Sequence, residues 1–280
     1  MDVFEERRGK LRAVAYRVLG TMTDAEDVVQ EAWLRWNGVD PATVEDPTAY
    51  LVTVTTRLAI DRLRSARAAR VSYVGPWLPE PVPTGGDLAD DLALADTVSS
   101  AMLLVLESLS PLERAVFVLR EAFGYSHGEI ARILDRSEES VRQTAKRARD
   151  HVDAKRRRYE TDPATRRRAT TSFMEACAGG DLAALMGVLA PDVALVCDGG
   201  GLAPAPRKTV HGMELVARAL VTFAGRMPED PSIEYAEVNG GPAIVVRSGR
   251  TAAAVVTLYL VDGAVAEIHL VSNPEKLGAV

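Results

Sequence analysis

Four side chains able to read nucleic-acid bases cluster along one stretch of the chain. Arg142, Gln143, Lys146 and Arg147 recur at helical spacing, with Ser140 just ahead of them. Arg and Lys carry donors for guanine O6 and N7, and a Gln amide carries the donor–acceptor pair that matches adenine. Val141, Ala145 and Ala148 lie at i, i+4 and i+7, so they share the opposite, inward face. Glu138 and Glu139 open the same stretch and would repel phosphate if aimed at a nucleic-acid backbone. Either they complement the helix dipole, or Glu139 accepts a hydrogen bond from cytosine; the sequence leaves both open.

A partner helix is needed to carry these groups to a duplex. Ser126 followed by Glu129 forms a capping box, and Ile130, Ile133 and Leu134 supply a buried stripe. Asp135–Ser137 is a short turn, and Ser137 can cap the next helix. The pattern predicts a helix-turn-helix whose second helix fits the major groove. The competing reading is a helical hairpin with a solvated basic face. Small inward residues favour the first, because they let the helices cross closely. Upstream, Pro111 suits the first turn of a helix after Ser110, and Gly124 ends that segment.

Charge is distributed to match. The net charge of −6 hides a basic segment at 110–168, with fifteen basic against ten acidic residues. Residues 1–70 balance at eleven of each, 71–109 carry six acids and no base, and 169–280 carry seven bases against twelve acids. A localised basic segment is the electrostatic footprint of phosphate binding. No run of about 18 apolar residues could span a membrane, and Met1–Lys10 lacks a signal-peptide core. Cys177 and Cys197 have no metal spacing and read as small buried apolar residues of a reduced, cytoplasmic protein.

Residues 1–70 read as helices. Leu11, Val14, Ala15, Val18 and Leu19 recur at helical spacing, and Gly20 stops the run. Thr23 with Glu26 offers a second capping box for a helix over Asp24–Trp36, with Val28, Val29, Ala32, Trp33 and Trp36 near one face. The other face carries Asp24, Asp27, Gln30, Glu31 and Arg35. A loop from Asn37 to Pro47 precedes a third helix over Thr48–Ala69. Residues 71–98 are proline- and glycine-rich at first, then acidic, and read as a linker; a helical pattern restarts near Leu88. From 164 onward two helices, a strand over Asp192–Cys197, a glycine run at Gly199–Gly201, a helix over Met213–Ala224 and three β-rich runs predict an α+β, cone-shaped fold with an antiparallel sheet.

These segments carry a resemblance. Asp24–Trp33, Leu58–Arg64 and Leu109–Arg114 with the helix-turn-helix resemble, in order and spacing, regions 2 and 4 of extracytoplasmic-function sigma factors. The remainder is similar to the subgroup carrying a SnoaL-like C-terminal domain. Tyr73–Pro81 (YVGPWLPEP) resembles its linker motif. Asp198, Gly199, Gly200 and Gly201 resemble its glycine motif, with Leu202 where a basic residue is expected. Asn273, Pro274, Glu275, Lys276 and Leu277 resemble its terminal motif, with Glu275 where Asp is usual.

The resemblance implies two all-α sigma domains, region 2 at 1–70 and region 4 at 99–160, a linker at 71–98 and a SnoaL-like domain at 161–280. It further implies that Asp24, Glu26, Asp27, Gln30 and Glu31 dock on core RNA polymerase. Asn37 with its loop, and Arg57, Asp61, Arg62 and Arg64, would recognise and open the −10 element of promoter DNA, while region 4 reads the −35 element. Strand opening needs a loop that holds a flipped base beside positive charge, which this arrangement offers. Trp77, Leu78 and Pro79 of the linker, the glycine motif and the terminal motif would position the C-terminal domain as a regulator in cis, packed on regions 2 and 4.

His211, His269 and Asp198 are the acid–base candidates if that domain were an enzyme, but a base must lie within hydrogen-bond reach of its proton inside a pocket. The default readings are a loop or cap role for His211 and a tight turn for Asp198. A small-molecule effector is the better expectation, because cone-shaped folds commonly enclose a pocket. No cofactor is expected. Two other readings stand beside the sigma factor. A stand-alone helix-turn-helix regulator with a ligand-sensing tail leaves 1–70 unexplained, and a cyclase-like enzyme leaves 1–158 unexplained.

Overall fold

The computed structural model describes residues 3–70, 73–84, 105–156, 162–178, 182–226 and 231–280. The chain divides into two compact units, 1–71 with 85–155, and 72–84 with 156–280.

In the first unit, α1 (Val3–Leu19), α2 (Met22–Asn37) and α3 (Pro47–Arg70) pack on one another. Leu11, Val14, Ala15, Val18 and Leu19 are all buried, as their spacing predicts. Gly20 adopts φ 83°, where its lack of a Cβ lets the chain leave α1 without strain. The start of α2 departs from the expected capping box. Thr21 is its N-cap, and the Thr21 hydroxyl donates to Asp24 at 2.6 Å rather than accepting from the backbone. Trp33 also departs from the expected apolar face, being 38 % exposed, with Leu34 beside it at 59 %. Five residues beyond Val28, Trp33 is rotated well off the buried stripe at about 100° per residue. Asn37 closes α2 rather than opening a loop, and a 3₁₀ turn capped by Asp40 fills Pro41–Thr43.

Farther along the chain lie α4 (Pro111–Phe117), α5 (His127–Leu134) and α6 (Glu138–Arg156). Ser110 and Glu113 form a capping box with Pro111 at the first position, and a π-helical segment, Val118–Ala122, ends near Gly124 at φ 71°. Of the helix expected from Leu88 towards Leu109, only 105–109 lie within the described residues.

In the second unit, α7 (Pro163–Ala178) and α8 (Leu182–Val188) precede β1 (Leu189–Asp198) and β2 (Val210–His211); α9 (Met213–Ala224) precedes β3 (Pro231–Val238), β4 (Gly241–Ser248), β5 (Thr251–Val261) and β6 (Ala264–Val271). The six-stranded sheet has the order β2-β1-β6-β5-β4-β3. The expected all-antiparallel pairing fails at one place: β6 lies parallel to β1. The meander from β3 to β6 has three tight turns, and it returns the chain beside β1 in the same direction. Two of those turns are Asn239-Gly240 and Asp262-Gly263, all four residues at positive φ. That geometry matches the strand twist in two-residue hairpins. Phe173, Leu185, Val216 and Leu220 fill the face of the sheet formed by Leu195, Cys197, Ile244, Val256 and Ile268.

Candidate nucleic-acid interface and linker clamp

The helix-turn-helix is built as its sequence predicts. Ser126 accepts from the Glu129 amide while Glu129 accepts from the Ser126 amide at 2.7 Å. Asp135 takes a left-handed conformation at the turn, and the Ser137 hydroxyl accepts from the Ser140 amide. Ile130, Ile133, Val141, Ala145 and Ala148 are buried, while Leu134 is half-buried. Arg142, Gln143, Lys146 and Arg147 line the exposed face of α6, and Ser140 is half-buried beside them.

The expected nucleic-acid contacts on α3 are engaged within the chain. Arg57 donates from Nε to the Ile133 carbonyl at 2.8 Å, which joins α3 to the last turn of α5. Arg62 bridges Asp24 at 2.8 Å and Asp27 at 3.0 Å, and the hydrogen-bonded Asp24 carboxylate raises its pKa further. Two residues expected to face polymerase therefore hold one expected to face DNA. Arg64 pairs with Asp61, Glu31 with Arg35 and Glu26 with Arg12 at 3.8 Å; Gln30 and Asn37 are exposed.

Arg114 sits where α1 meets α4. Fully buried, it donates from Nε to the Arg17 carbonyl at 3.0 Å and pairs with Glu107. Arg17 is itself buried, desolvation lowers its pKa to about 10, and it lies 5.0 Å over the Phe123 ring. Composition does not flag either arginine as interior.

The linker is no free tether over its described part. Asp198 ends β1 with no exposed side-chain surface. One carboxylate oxygen accepts from the Tyr73 hydroxyl at 2.6 Å; the other accepts from the Leu78 amide at 2.8 Å and Lys276 Nζ at 2.6 Å. Lys276 also donates to the Leu78 carbonyl at 2.6 Å and lies 4.0 Å over the Trp77 ring, a cation–π contact. Asn273 donates to the Tyr73 hydroxyl at 3.0 Å. Farther along, Val82 exchanges hydrogen bonds with Asn239, and the Thr84 amide donates to the Glu237 carbonyl at the β3 edge. Prolines 79, 81 and 83 lack amide donors, so the segment cannot form a full ladder and instead pairs through the residues between them.

The glycine motif gains a physical reason. A Cβ on Gly200 would lie 2.4 Å from the Asn273 amide nitrogen, and one on Gly199 would lie 2.6 Å from the Ala203 carbonyl. The terminal turn packs, polar as it is: Asn273, Lys276 and Leu277 are buried. Trp77, Leu78, Asp198, Gly200, Asn273 and Lys276 thus meet in one clamp on the C-terminal sheet, and Pro79, Gly199, Pro274 and Leu277 flank them in the chain. Sequence reading missed Tyr73 and Asn239 as members. The Asn-Gly hairpin signal locates the turn, but nothing local says that Asn239 would also take the linker.

His211, His269 and Asp198 share no pocket. His211 is exposed on β2; His269 contacts Glu267 at 2.5 Å and lies tilted against the Tyr259 ring, the centroids 4.6 Å apart. Its neighbours Ile268 and Leu270 point into the core, so His269 faces the other side of the sheet. Burial raises the Cys197 thiol to about 12 and the half-buried Cys177 thiol to about 11. Among the described residues no cluster of His, Cys, Asp and Glu could hold a metal, and no helix is long and apolar enough to cross a membrane. A concavity of about 330 Å³ is lined by Val74 of the linker, Cys197, Gly199, Leu202 and Arg207.

Comparison with known proteins places these elements. Residues 3–69 match the sigma-70 region 2 family, and residues 99–152 match sigma-70 region 4. The chain is 39 % identical to the ECF RNA polymerase sigma factor SigJ of Mycobacterium tuberculosis, over 98 % of this chain and 91 % of that protein. It is 33 % identical to the probable ECF RNA polymerase sigma factor SigI of the same species, over 96 % and 92 %. The crystal structure of M. tuberculosis SigJ superposes with a TM-score of 0.75 at 36 % identity, covering 99 % of this chain and 97 % of that one.

Proposed function

The chain belongs to the extracytoplasmic-function (ECF) RNA polymerase sigma factors, and on that premise we propose how its residues divide the work of initiating transcription in the cytoplasm. It is an initiation factor, not an enzyme, and it binds core RNA polymerase and promoter DNA. The exposed Arg142, Gln143, Lys146 and Arg147 on a capped, closely packed helix-turn-helix are the observation that carries the reading of the −35 element. A good bidentate base contact discriminates by about 1–3 kcal/mol. Arg142→Ala should therefore weaken binding to its own promoter, with core polymerase present, more than binding to random DNA. Equal loss on both would leave Arg142 a backbone contact only.

The acidic face of α2, with Trp33 and Leu34 exposed next to it, is the surface proposed for core polymerase. Reversing Asp27 and Glu31 to Lys should lower core affinity at least tenfold in a titration. Their pairs with Arg62 and Arg35 are solvent-exposed, so the fold should lose only about 1 kcal/mol or less. Unchanged core affinity in the double variant would sink the assignment.

The C-terminal domain acts in cis on this reading. It grips residues 73–84, the segment that joins the region 2 helices to region 4. A tethered domain meets its own chain at an effective concentration of order mM, so modest contacts suffice. A small-molecule effector would act at the 330 Å³ concavity, where Val74 forms part of the wall and occupancy would bear on the linker.

A further inference from the structure

Glu138 and Glu139 sit in the first turn of α6 and subtract from attraction to DNA phosphates, yet neither carboxylate is idle. Glu138 Oε1 accepts from Arg142 Nη2 at 2.9 Å. Glu139 Oε1 accepts from Gln143 Nε2 at 2.9 Å. Each acid thus reaches one turn forward to a base-reading side chain, at the i, i+4 spacing that places them on one face. Glu138 is bracketed from behind too: a Cβ on Gly128, in the first turn of α5, would lie 3.5 Å from Glu138 Oε2. Its carboxylate therefore lies beside the first turn of α5 as well as against the guanidinium of Arg142.

The chemistry of those contacts has a direction. A carboxylate only accepts, so Glu139 settles which end of the Gln143 amide is nitrogen. The amide keeps one N–H and its carbonyl oxygen, the donor–acceptor pair that matches adenine N7 and N6 in the major groove. Glu138 engages Nη2 of Arg142, and Glu139 Oε2 lies 4.0 Å from Nη1; the hydrogen bond from Glu138 sets the guanidinium plane and leaves other donors for guanine O6 and N7. The repulsion that both acids exert on phosphate acts on every sequence alike, so what they add must lie in discrimination.

We propose that Glu138 and Glu139 are positioning residues for promoter reading: Glu139 holds the Gln143 amide in the orientation that selects adenine, and Glu138 holds the Arg142 guanidinium in the plane that selects guanine. The proposal rests on α6 being the helix that reads the −35 element.

The test uses the full chain with core RNA polymerase on a promoter library randomised over the −35 segment, with transcripts sequenced. Gln143→Ala and Arg142→Ala first mark the positions that these side chains read. A well-formed bidentate contact gives about 5- to 150-fold preference at such a position. Glu139→Ala should cut the adenine preference at the Gln143 position by at least about threefold while raising output from weak sites. Glu139→Gln presents a donor as well as an acceptor and no longer settles which way the Gln143 amide turns, so it should lose that preference as the alanine does. Glu138→Ala should act in the same way at the Arg142 position. Asp150→Ala, which removes an exposed acid from the same helix, should change no base preference. If Glu139→Ala or Glu139→Gln leaves the preference intact, or Asp150→Ala lowers it as much, the acids serve the helix dipole and overall charge alone, and the proposal fails. If Gln143→Ala and Arg142→Ala flatten no position, the reading of α6 itself fails, and the proposal with it.

Discussion

Lys276→Ala should destabilise the C-terminal domain by about 3–5 kcal/mol, the usual cost of removing one partner from a buried ion pair. The side chains of Lys276 and Asp198 are 8 % and 0 % exposed. Without the ammonium, Asp198 keeps the Tyr73 hydroxyl and Leu78 amide but loses the counter-charge of Lys276, and the Leu78 carbonyl and Trp77 ring lose their cation. The loss should spread along the linker. Amide exchange in 73–84 should accelerate far more than in the β3–β6 meander, read by mass spectrometry on the full chain. Pairing Lys276→Met with Asp198→Asn should cost less than the two single changes added, because the pair leaves no uncompensated charge. Truncation before Asn273 removes the lysine together with the asparagine that holds Tyr73, so its effect on transcription should have the same sign as that of Lys276→Ala. Removal of everything after Arg168 should abolish regulation and leave DNA reading by α6 intact. Lys276→Ala with unchanged linker exchange and less than about 0.5 kcal/mol of destabilisation would show that the clamp does not hold the linker.

That clamp marks the boundary of what local sequence could tell. The helix-turn-helix was legible because its signals act within a turn or two: the Ser126–Glu129 box, the Asp135 break and the Val141, Ala145, Ala148 stripe each specify their own neighbourhood. The helix over Met213–Ala224 and the β-rich runs were legible for the same reason. The partners of Lys276 were not: the terminal motif marked the residue, but its contacts at 77, 78 and 198 lie far away in sequence. The parallel β1–β6 pair and the docked linker are likewise products of topology, which periodicity cannot express. Trp33 and Thr21 show a smaller limit. The helix begins near the expected place with another cap, and the position of Trp33 in the 3.6-residue repeat, off the buried stripe, exposes an indole beside the acidic face. The resemblance assigned roles to residues, but the pairing of Arg62 with Asp24 and Asp27 came only from packing α2 on α3.

Arg114→Ala should be the most damaging single change in the first unit, at about 3–5 kcal/mol. Arg17 belongs to the last turn of α1, where the final four carbonyls lack intrahelical donors. Arg114 supplies a donor there and places positive charge at the negative end of the helix dipole. Alanine would leave the Arg17 carbonyl without this donor and strand Glu107, whose side chain is only 15 % exposed. Lysine would restore charge but cannot reach two acceptors with a planar fork, so Arg114→Lys should recover only part of the loss. The expected signature is a joint one. Exchange should accelerate both in α4 and at the C-terminal end of α1, while α2 stays protected, because Arg114 is where the helix before the helix-turn-helix is fastened to region 2. The same fastening is repeated at Arg57, which binds the last turn of α5 from α3. Arg57→Ala should therefore add to the effect of Arg114→Ala in loosening region 4 from region 2, with a smaller cost of its own, since Arg57 is exposed and its carbonyl partner can turn to water. Acceleration confined to α4 would make Arg114 a local prop, and the two regions would then be held together by apolar packing rather than by these arginines.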